Sequence, residues 1–232
     1  MKKPVNFFLL FLFAFSLDAQ NTTVKWGEES EFEKRMKISS ILSDKSGHFY
    51  IVKQSSKKNK STFILEKFSS ATVTVEKRNE LPLPVINQKN TKFEDLLVIG
   101  NNTWLFISYY DVTALKQFLF VQKITTELIY EGDPFEIDRV ENIPEREKQD
   151  FVIILSPDDK SVLINHNLPF ERYNNEKFSY RVFDENMKPV WGKEIELPYK
   201  DQFLKISNQL MDNENNIYLL SSVSSERKKG ES

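Results

Sequence analysis

The sequence predicts an all-β fold built from one repeated unit. A strand–turn–strand pattern recurs along the chain, with Phe49, Trp104, Val162 and Ile217 in equivalent places that lie 55, 58 and 55 residues apart. Each occurrence joins two short apolar runs through residues that favour turns, which is the pattern of a β-hairpin. A period this regular indicates an array of similar β units that pack on one another.

The four turns predict which residues have a backbone role. In the first, Gly47 supplies the positive φ that such a turn often needs, and the Asp44 carboxylate accepts hydrogen bonds from turn amides. The second turn is shorter and contains Gly100. Pro157 presets the first φ of the third turn, next to Asp158. In the fourth turn, which begins at Asp212, we expect Asn215 to replace glycine because Asn tolerates left-handed geometry.

Each of the first three hairpins is followed by two more apolar segments. The third strands are predicted at 63–68, 118–124 and 178–183, and the fourth strands at 72–75, 127–130 and 189–191. Four antiparallel strands in about 55 residues is the composition of a propeller blade. The chain is therefore predicted to be an incomplete β-propeller of about three and a half four-stranded antiparallel blades, at 36–84, 93–135, 150–198 and 207–223.

Prolines and charges suggest where one blade gives way to the next. Pro82, Pro134, Pro144 and Pro198 are predicted to lie between blades, because proline cannot donate to a strand ladder. The charged stretch 137–149 is predicted to be an inter-blade connection or a short helical insertion.

Two of the hairpins resemble those of known propeller families. The segment from Ser156 to Ile164 resembles the Ser-Pro-Asp-Gly-Lys hairpin of WD40-like and Tol-type β-propellers, and the segment from Asp212 to Leu220 resembles NHL-like blades. The segment 178–184, followed by Trp191, resembles blades of large secreted propeller proteins from Gram-negative bacteria. The resemblance covers roughly 36–223 and implies a fold, since these motifs specify turns and carry no activity.

The first residues predict export. Residues 1–19 form a signal-peptide pattern, with Lys2 and Lys3 before an apolar run at 7–15 and a small residue, Ala19, at the cleavage point. The apolar run is far shorter than the ~20 residues of a membrane-spanning helix. We expect a lead-in segment at 20–35, a charged tail at 224–232, and a location in the periplasm, at the cell surface or outside the cell. The chain has no cysteine, which excludes disulfides and thiol chemistry.

Charge excludes two classes of partner. Without residues 1–19 the chain keeps 30 basic and 33 acidic side chains, a balance that provides no footprint for nucleic acid or anionic lipid. A ring that does not close exposes strand edges, so we expect either a longer protein or self-association.

The sequence indicates no catalytic, metal or cofactor site. Its two histidines, His48 and His166, have no second ligand at a metal-binding spacing, and no phosphate loop or nucleophile motif is present. Three scattered carboxylates, Asp111, Glu171 and Asp184, are the candidates for acid–base chemistry.

Four tyrosines near strand ends or loops are the binding candidates, because an exposed ring stacks on a sugar or anchors a protein. They are Tyr109, Tyr110, Tyr173 and Tyr199. The leading hypothesis is an exported scaffold that binds a protein or glycan partner. The alternatives are an envelope or extracellular enzyme acting on glycan or peptide, and a purely structural repeat.

Overall fold

The computed structural model describes residues 23–29, 36–57, 60–148, 150–169 and 174–224. The predicted signal peptide and all but the first residue of the predicted tail lie outside these ranges. Within the described ranges, no helix has the length and apolar character needed to cross a membrane.

The first two repeats each form a four-stranded antiparallel sheet whose strands follow the order of the sequence. The first blade consists of β1 (Met36–Ser43), β2 (His48–Lys57), β3 (Lys60–Ser69) and β4 (Val75–Pro82). A small hairpin follows, made of two strands of two residues each, β5 (Val85–Ile86) and β6 (Lys89–Asn90). The second blade consists of β7 (Lys92–Ile99), β8 (Asn102–Asp111), β9 (Lys116–Ile124) and β10 (Tyr130–Val140).

The third repeat is also four-stranded, and the fourth is a hairpin. The third blade consists of β11 (Val152–Leu155), β12 (Ser161–Asn167), β13 (Asn175–Asp184) and β14 (Pro189–Lys200). The hairpin consists of β15 (Leu204–Met211) and β16 (Ile217–Val223). Short 3₁₀ helices, Glu145–Glu147 and Asp201–Phe203, precede these two units. The predicted all-β array of about three and a half antiparallel propeller blades is confirmed.

The fourth strands of the first two blades begin later than predicted. The apolar segments at 72–75 and 127–130 lie mostly in the preceding turns, where Val73 and Leu128 have φ of +57° and +58°. Leu128 is buried in the core between the first two blades even though it belongs to a turn. The outermost strands themselves bury few side chains, and in β4 only Leu81 is buried. Their apolar pattern is therefore weak, which explains the error.

Three of the four prolines lie in strands and not between blades, which corrects the prediction. Pro82 ends β4, Pro134 lies within β10, and Pro198 lies within β14. Each of these is the outermost strand of its sheet, where a residue without an amide donor disturbs the ladder least. Pro144 does lie between blades, but the stretch predicted as a connection starts inside β10.

The hydrophobic cores lie between blades. The first core joins blades one and two and includes Val52, Leu65, Leu96, Leu105 and Ile107. The second core joins blades two and three and includes Trp104, Phe106, Val121, Val162 and Ile164. The third core joins blade three to the fourth hairpin and includes Leu163, Phe178, Tyr180, Val182 and Met211.

Alternation along the central strands explains this arrangement. In β8, Leu105 and Ile107 belong to the first core while Trp104 and Phe106 belong to the second. Because successive side chains of a strand point to opposite faces, a strand covered on both faces is apolar at every position. This is why the second strands of blades two and three, β8 and β12, contain continuous apolar runs.

The ends of the blades differ in what they carry. We call the end with the first-to-second and third-to-fourth strand turns the lower end, and the end with the second-to-third strand connections the upper end. At the lower end, the Gly100 amide donates to the Asp159 carbonyl at 2.5 Å, and the Lys45 ammonium lies 2.5 Å from the Asp159 carboxylate. The Asp158 amide donates to Asn213 Oδ1 at 2.9 Å. Turns of four repeats are thus tied together.

Candidate functional site

A charged cavity of about 700 Å³ opens between the second and third blades, towards the upper end. We call it the Arg181 cavity. Its polar lining includes Arg139, Glu141, His166, Lys177, Arg181 and Glu194.

A fully buried carboxylate organises this cavity. Asp138 has no exposed side-chain surface, and its Oδ2 lies 2.8 Å from His166 Nδ1. Its Oδ1 lies 2.7 Å from Arg181 Nε and also accepts the Arg139 amide at 2.9 Å. Because an ionised carboxylate only accepts hydrogen bonds, His166 Nδ1 carries the donated proton. A charge this deeply buried is stable only when paired and hydrogen-bonded, as Asp138 is.

Strand geometry brings the three residues together from two blades. Asp138 lies on β10 directly after a register shift between Glu136 and Asp138, and a bulge of this kind re-aims the side chains that follow it. On the third blade, Arg181 pairs with Ile164 and His166 pairs with Ser179 across β12 and β13. Their alternation places His166 and Arg181 on the face that meets the second blade.

Arg181 joins the buried cluster to the open cavity. Its Nε is held by Asp138 while 47% of its side chain is exposed. An arginine held at one nitrogen keeps its planar fork in a fixed orientation, which suits carboxylate or phosphate groups. At the rim, Glu141 forms an ion pair with Lys116. The hydrogen bond from Lys116 lowers the pKa of the Glu141 carboxyl.

Tyr109 does not present the exposed ring that the sequence predicts. It is only 7% exposed, and its ring stacks on Phe118 and Phe120 at centroid distances of 5.1 and 5.7 Å. Tyr109 lies on the same face of β8 as Leu105 and Ile107, and this directs its ring into the first core. This residue packs between blades.

The other tyrosines are placed differently. Tyr110 is half-buried, donates to the Ile143 carbonyl at 2.9 Å, and lies below the Lys148 ammonium, 5.1 Å from its ring centre. It lines a cavity of about 380 Å³ at the upper end, which shares no lining residue with the Arg181 cavity. Tyr199 is exposed on β14. Tyr173 lies outside the described residues.

Two turn aspartates make the same set of hydrogen bonds. Asp44 Oδ1 accepts the amides of Ser46 and His48 at 2.8 and 3.1 Å, and Oδ2 accepts the Tyr50 hydroxyl at 3.1 Å. Burial alone would raise the pKa of Asp44, but these hydrogen bonds together lower it. Asp212 repeats the pattern in the fourth hairpin, accepting the amides of residues 214 and 216 and the hydroxyl of Tyr218.

The remaining turn residues also have local roles. Positive φ angles of +93°, +58° and +64° occur at Gly47, Gly100 and Asn215. Pro157 lies in the third turn, and Asp158 Oδ1 accepts the Ser156 hydroxyl at 2.8 Å. These contacts hold backbone at the lower end, away from the Arg181 cavity.

The scattered carboxylates do not converge. Asp111 accepts two turn amides at the upper end of β8, and Asp184 accepts two at the lower end of β13. Strands of ten residues separate these ends by about 30 Å at ~3.3 Å per residue. Glu171 lies outside the described residues. Across the described ranges, no three His, Asp or Glu side chains are grouped as a metal ion would require.

The buried cluster was not predicted. Asp138 lay in a stretch interpreted as an inter-blade connection, and its partner His166 is 28 residues away. One signal was present: β12 has His166 on the same face as the apolar Val162 and Ile164. A polar residue at a buried strand position requires a buried partner.

No protein-family model matches the chain, and no curated protein matches it. Among solved structures, an endo-arabinase from Bacteroides thetaiotaomicron is 12% identical over 81% of this chain and 74% of its own, with a TM-score of 0.39. The β-propeller domain of the trilobed protease from Pyrococcus furiosus is 12% identical over 85% and 57%, with a TM-score of 0.41. The acylaminoacyl peptidase from Pyrococcus horikoshii is 12% identical over 81% and 28%, with a TM-score of 0.40. At these values the similarities carry no argument about ligand or activity, and the architecture rests on the sheets described above.

Proposed function

We propose that the chain is an exported β-propeller module that binds an acidic partner, a glycan or a protein segment, in the Arg181 cavity. The observation that carries the proposal is the pairing of Arg181 with the fully buried Asp138 at the wall of a cavity of about 700 Å³. The cavity lies within the usual 300–1,000 Å³ range of ligand sites.

The cluster supports binding because Asp138 already fixes the orientation of the Arg181 guanidinium before a ligand arrives. A free arginine loses rotamer freedom when it binds, whereas one already held by a carboxylate loses less. Lys177 and Arg139 also line the cavity, together with the carboxylates of Glu141 and Glu194. Arg139 Nε lies 2.5 Å from Glu136 Oε1, so the proposal depends on Arg181. The partner chemistry that fits is a carboxylate or another planar anion.

Exchanging Arg181 for glutamine tests the proposal. The purified protein would be titrated against immobilised polygalacturonate and poly-glutamate, with dextran as the neutral probe. We expect one acidic probe to bind and Arg181→Gln to weaken it by about tenfold or more, the scale of a charge-assisted hydrogen bond. Raising the salt concentration should weaken wild-type binding as well.

Arg78→Gln is the matched control. Arg78 is equally exposed, at 47%, and lies 3.5 Å from the buried carboxylate of Glu66 on the first blade, far from the cavity. The Arg78→Gln variant should bind the acidic probe as tightly as the wild type does. Failure of both acidic probes to bind, or equal binding by Arg181→Gln and wild type, would overturn the proposal.

Export has its own test. The pattern at 1–19 supports secretion, so a fusion of the first 30 residues to a reporter that is active only outside the cytoplasm should show activity. Deleting the apolar run at 7–15 should abolish it. Equal reporter activity with and without that run would contradict export.

One observation favours a second function, an enzyme acting on glycan or peptide. A carboxylate bonded to Nδ1 of a histidine leaves Nε2 as the nitrogen available for proton transfer, and His166 lines the cavity. Within the described part of the chain, no side-chain hydroxyl is hydrogen-bonded to Nε2 of His166. Turnover of a glycan or peptide substrate that His166→Gln abolishes would support this alternative.

A further inference from the structure

The outer edge of β16 is open. In each complete blade the second strand pairs with a third strand, whereas the fourth sheet consists of β15 and β16 alone. Within the described residues, no strand pairs with the other edge of β16. Burial reflects this difference, because six of the seven residues of β12 are buried and none of the seven residues of β16 is. Tyr218 and Leu220 are 54% and 65% exposed.

Hydrogen bonds at both ends of β16 show which backbone groups point at the open edge. The Asp212 amide donates to the Asn216 carbonyl at 3.0 Å, and the Ser224 amide donates to the Phe203 carbonyl at 2.9 Å. Successive residues of a strand direct their backbone groups to opposite sides, so the even-numbered residues from 216 to 224 face β15. The register shift of this pair lies in β15 and leaves the alternation of β16 intact. The residues whose amides and carbonyls point outwards are Ile217, Leu219, Ser221 and Val223.

The sequence of β16 lacks the features that protect an edge strand from pairing. Its seven residues include no charged side chain and no proline. The outermost strands of the three complete blades carry charges and at least one proline each, such as Pro82 in β4, Pro134 in β10 and Pro198 in β14. Because charges and prolines are what usually prevents strand addition, β16 is the edge that can accept a strand.

The third blade supplies an apolar floor beside this edge. β15 contacts β11, the first strand of the third blade, so an additional strand beside β16 would lie over β13 and β14. Trp191 and Ile195 of β14 pair with Val182 and Phe178 of β13 and share their face of the sheet. Both side chains pack against the third core but are only half-buried. The edge and this floor together form a groove, which we call the β16 groove.

The complete blades show what kind of segment fits the groove. In the second blade, β9 pairs antiparallel with β8 along its whole length. Its Phe118, Phe120 and Ile124 pack into the core shared with the preceding blade. A strand in this position therefore places apolar residues at alternate positions against the blade before it. A second copy of β16 does not fit there, because the third blade behind it would occupy the space of β13 and β14.

We infer that the β16 groove binds an extended segment of a partner protein by antiparallel strand addition. The segment carries apolar residues at alternate positions. Its backbone bonds to the outward amides and carbonyls of β16, and its apolar side chains contact Trp191 and Ile195. The groove lies on the opposite face of the third blade from the Arg181 cavity and shares none of its lining residues.

The test uses a peptide of residues 116–124, the third strand of the second blade, extended by lysines for solubility. Binding to the purified protein would be followed by fluorescence anisotropy of a label on the peptide. A peptide of the same composition in scrambled order, without the alternation, is the matched control. We expect the ordered peptide to bind and the scrambled peptide to bind at least about tenfold more weakly.

Two N-methylated forms of the peptide test the backbone pairing directly. Opposite residues of a strand pair share a face, so the peptide residues that face the third blade are also those that bond β16. Methyl groups on the amides of Phe118 and Phe120 should therefore weaken binding by about tenfold or more. Methyl groups on the amides of Leu119 and Val121 point away from β16 and should leave binding unchanged.

Variants of the protein test the same edge. Ser221→Pro removes an amide that points at the groove, and it should weaken peptide binding while leaving the pairing with β15 intact. Ser221→Ala keeps that amide and should bind the peptide like the wild type. If Ser221→Pro does not fold, the comparison of the methylated peptides on the wild-type protein still decides. Arg181→Gln should not change peptide binding, whatever happens to the acidic probes.

Four results would overturn the inference. The first three are no binding of the ordered peptide at about 1 mM, equal binding of the scrambled peptide, and equal binding of the two methylated forms. The fourth is a wild-type dimer, seen by light scattering, that Ser221→Pro converts to a monomer, because a second copy would then fill the edge.

Discussion

Replacing Asp138 by asparagine should destabilise the protein by about 3 kcal/mol. Asparagine has nearly the same shape but no charge, and one of its terminal atoms is a donor that would face His166 or Arg181. A hydrogen bond to a charged group contributes about 1.5–3 kcal/mol. The bond to the buried His166 should lie near 2 kcal/mol, and the bond to the half-exposed Arg181 near 1 kcal/mol because solvent screens it.

The effect would be measured by urea unfolding followed by tryptophan fluorescence, together with calorimetry. A loss of about 3 kcal/mol corresponds to a drop of roughly 6–12 °C in melting temperature for a chain of this size. The denaturant slope should stay the same, since the change removes hydrogen bonds to a charged group and does not alter the surface exposed on unfolding. Asp133→Asn on the same strand is the control, because Asp133 is exposed and its change should stay within ~0.5 kcal/mol.

A double-mutant cycle sharpens the test. Asp138→Asn and Arg181→Gln should show a coupling energy of about 1 kcal/mol, because both remove the same contact. The reasoning would be refuted by a loss below about 1 kcal/mol for Asp138→Asn, or by strictly additive effects of the two changes.

Three further changes test the core, a turn and the pH dependence. Leu105→Ala should cost about 2–5 kcal/mol in urea unfolding because Leu105 is fully buried in the first core, while the exposed Leu210→Ala should cost far less. Gly47→Ala should cost about 1–2 kcal/mol because φ is +93° with open space around the added Cβ, whereas Gly192→Ala, at an ordinary φ, should be nearly neutral. Asp44 has a lowered pKa when folded, so its contribution is present above the ordinary Asp pKa of ~3.9 and is lost as the pH falls. Asp44→Asn should therefore lower the free energy of unfolding by about 1 kcal/mol at pH 7, and the gap to wild type should close below about pH 4.

Each of these has a contradicting outcome. Equal losses for Leu105→Ala and Leu210→Ala would mean that the first core is not packed as described. A neutral Gly47→Ala would argue against the left-handed turn. A difference between Asp44→Asn and wild type that stays constant from pH 7 to pH 2.5 would show that the carboxylate is not the stabilising form.

The hairpins were predictable because their signals are local. Two apolar runs flank a turn, and residues such as Gly47 and Asn215 reveal the turn chemistry directly. The outermost strands were harder to place, since they alternate weakly and the apolar residues next to them, Val73 and Leu128, belong to turns. Leu128 is buried by the neighbouring blade, which is a contact that no local pattern encodes.

The site was less predictable than the fold for the same reason. Asp138, His166 and Arg181 meet across two blades, and a bulge in β10 precedes Asp138. Neither the bulge nor the packing angle between blades can be read from spacing. Tyr109 shows the converse error, because its place near a strand end suggested exposure while its face in β8 placed it in a core.

The location of the cores between blades has a consequence for how such a chain changes over time. The second and third blades each contribute side chains to two cores, so a substitution in either blade also affects its packing against a neighbour. A duplicated or transplanted blade would have to match the face before it and the face after it at once. Phe106 and Val162 belong to the same core but to different blades, so a change of size at one position has to be compensated at the other. We therefore expect substitutions in this chain to be correlated across blade boundaries.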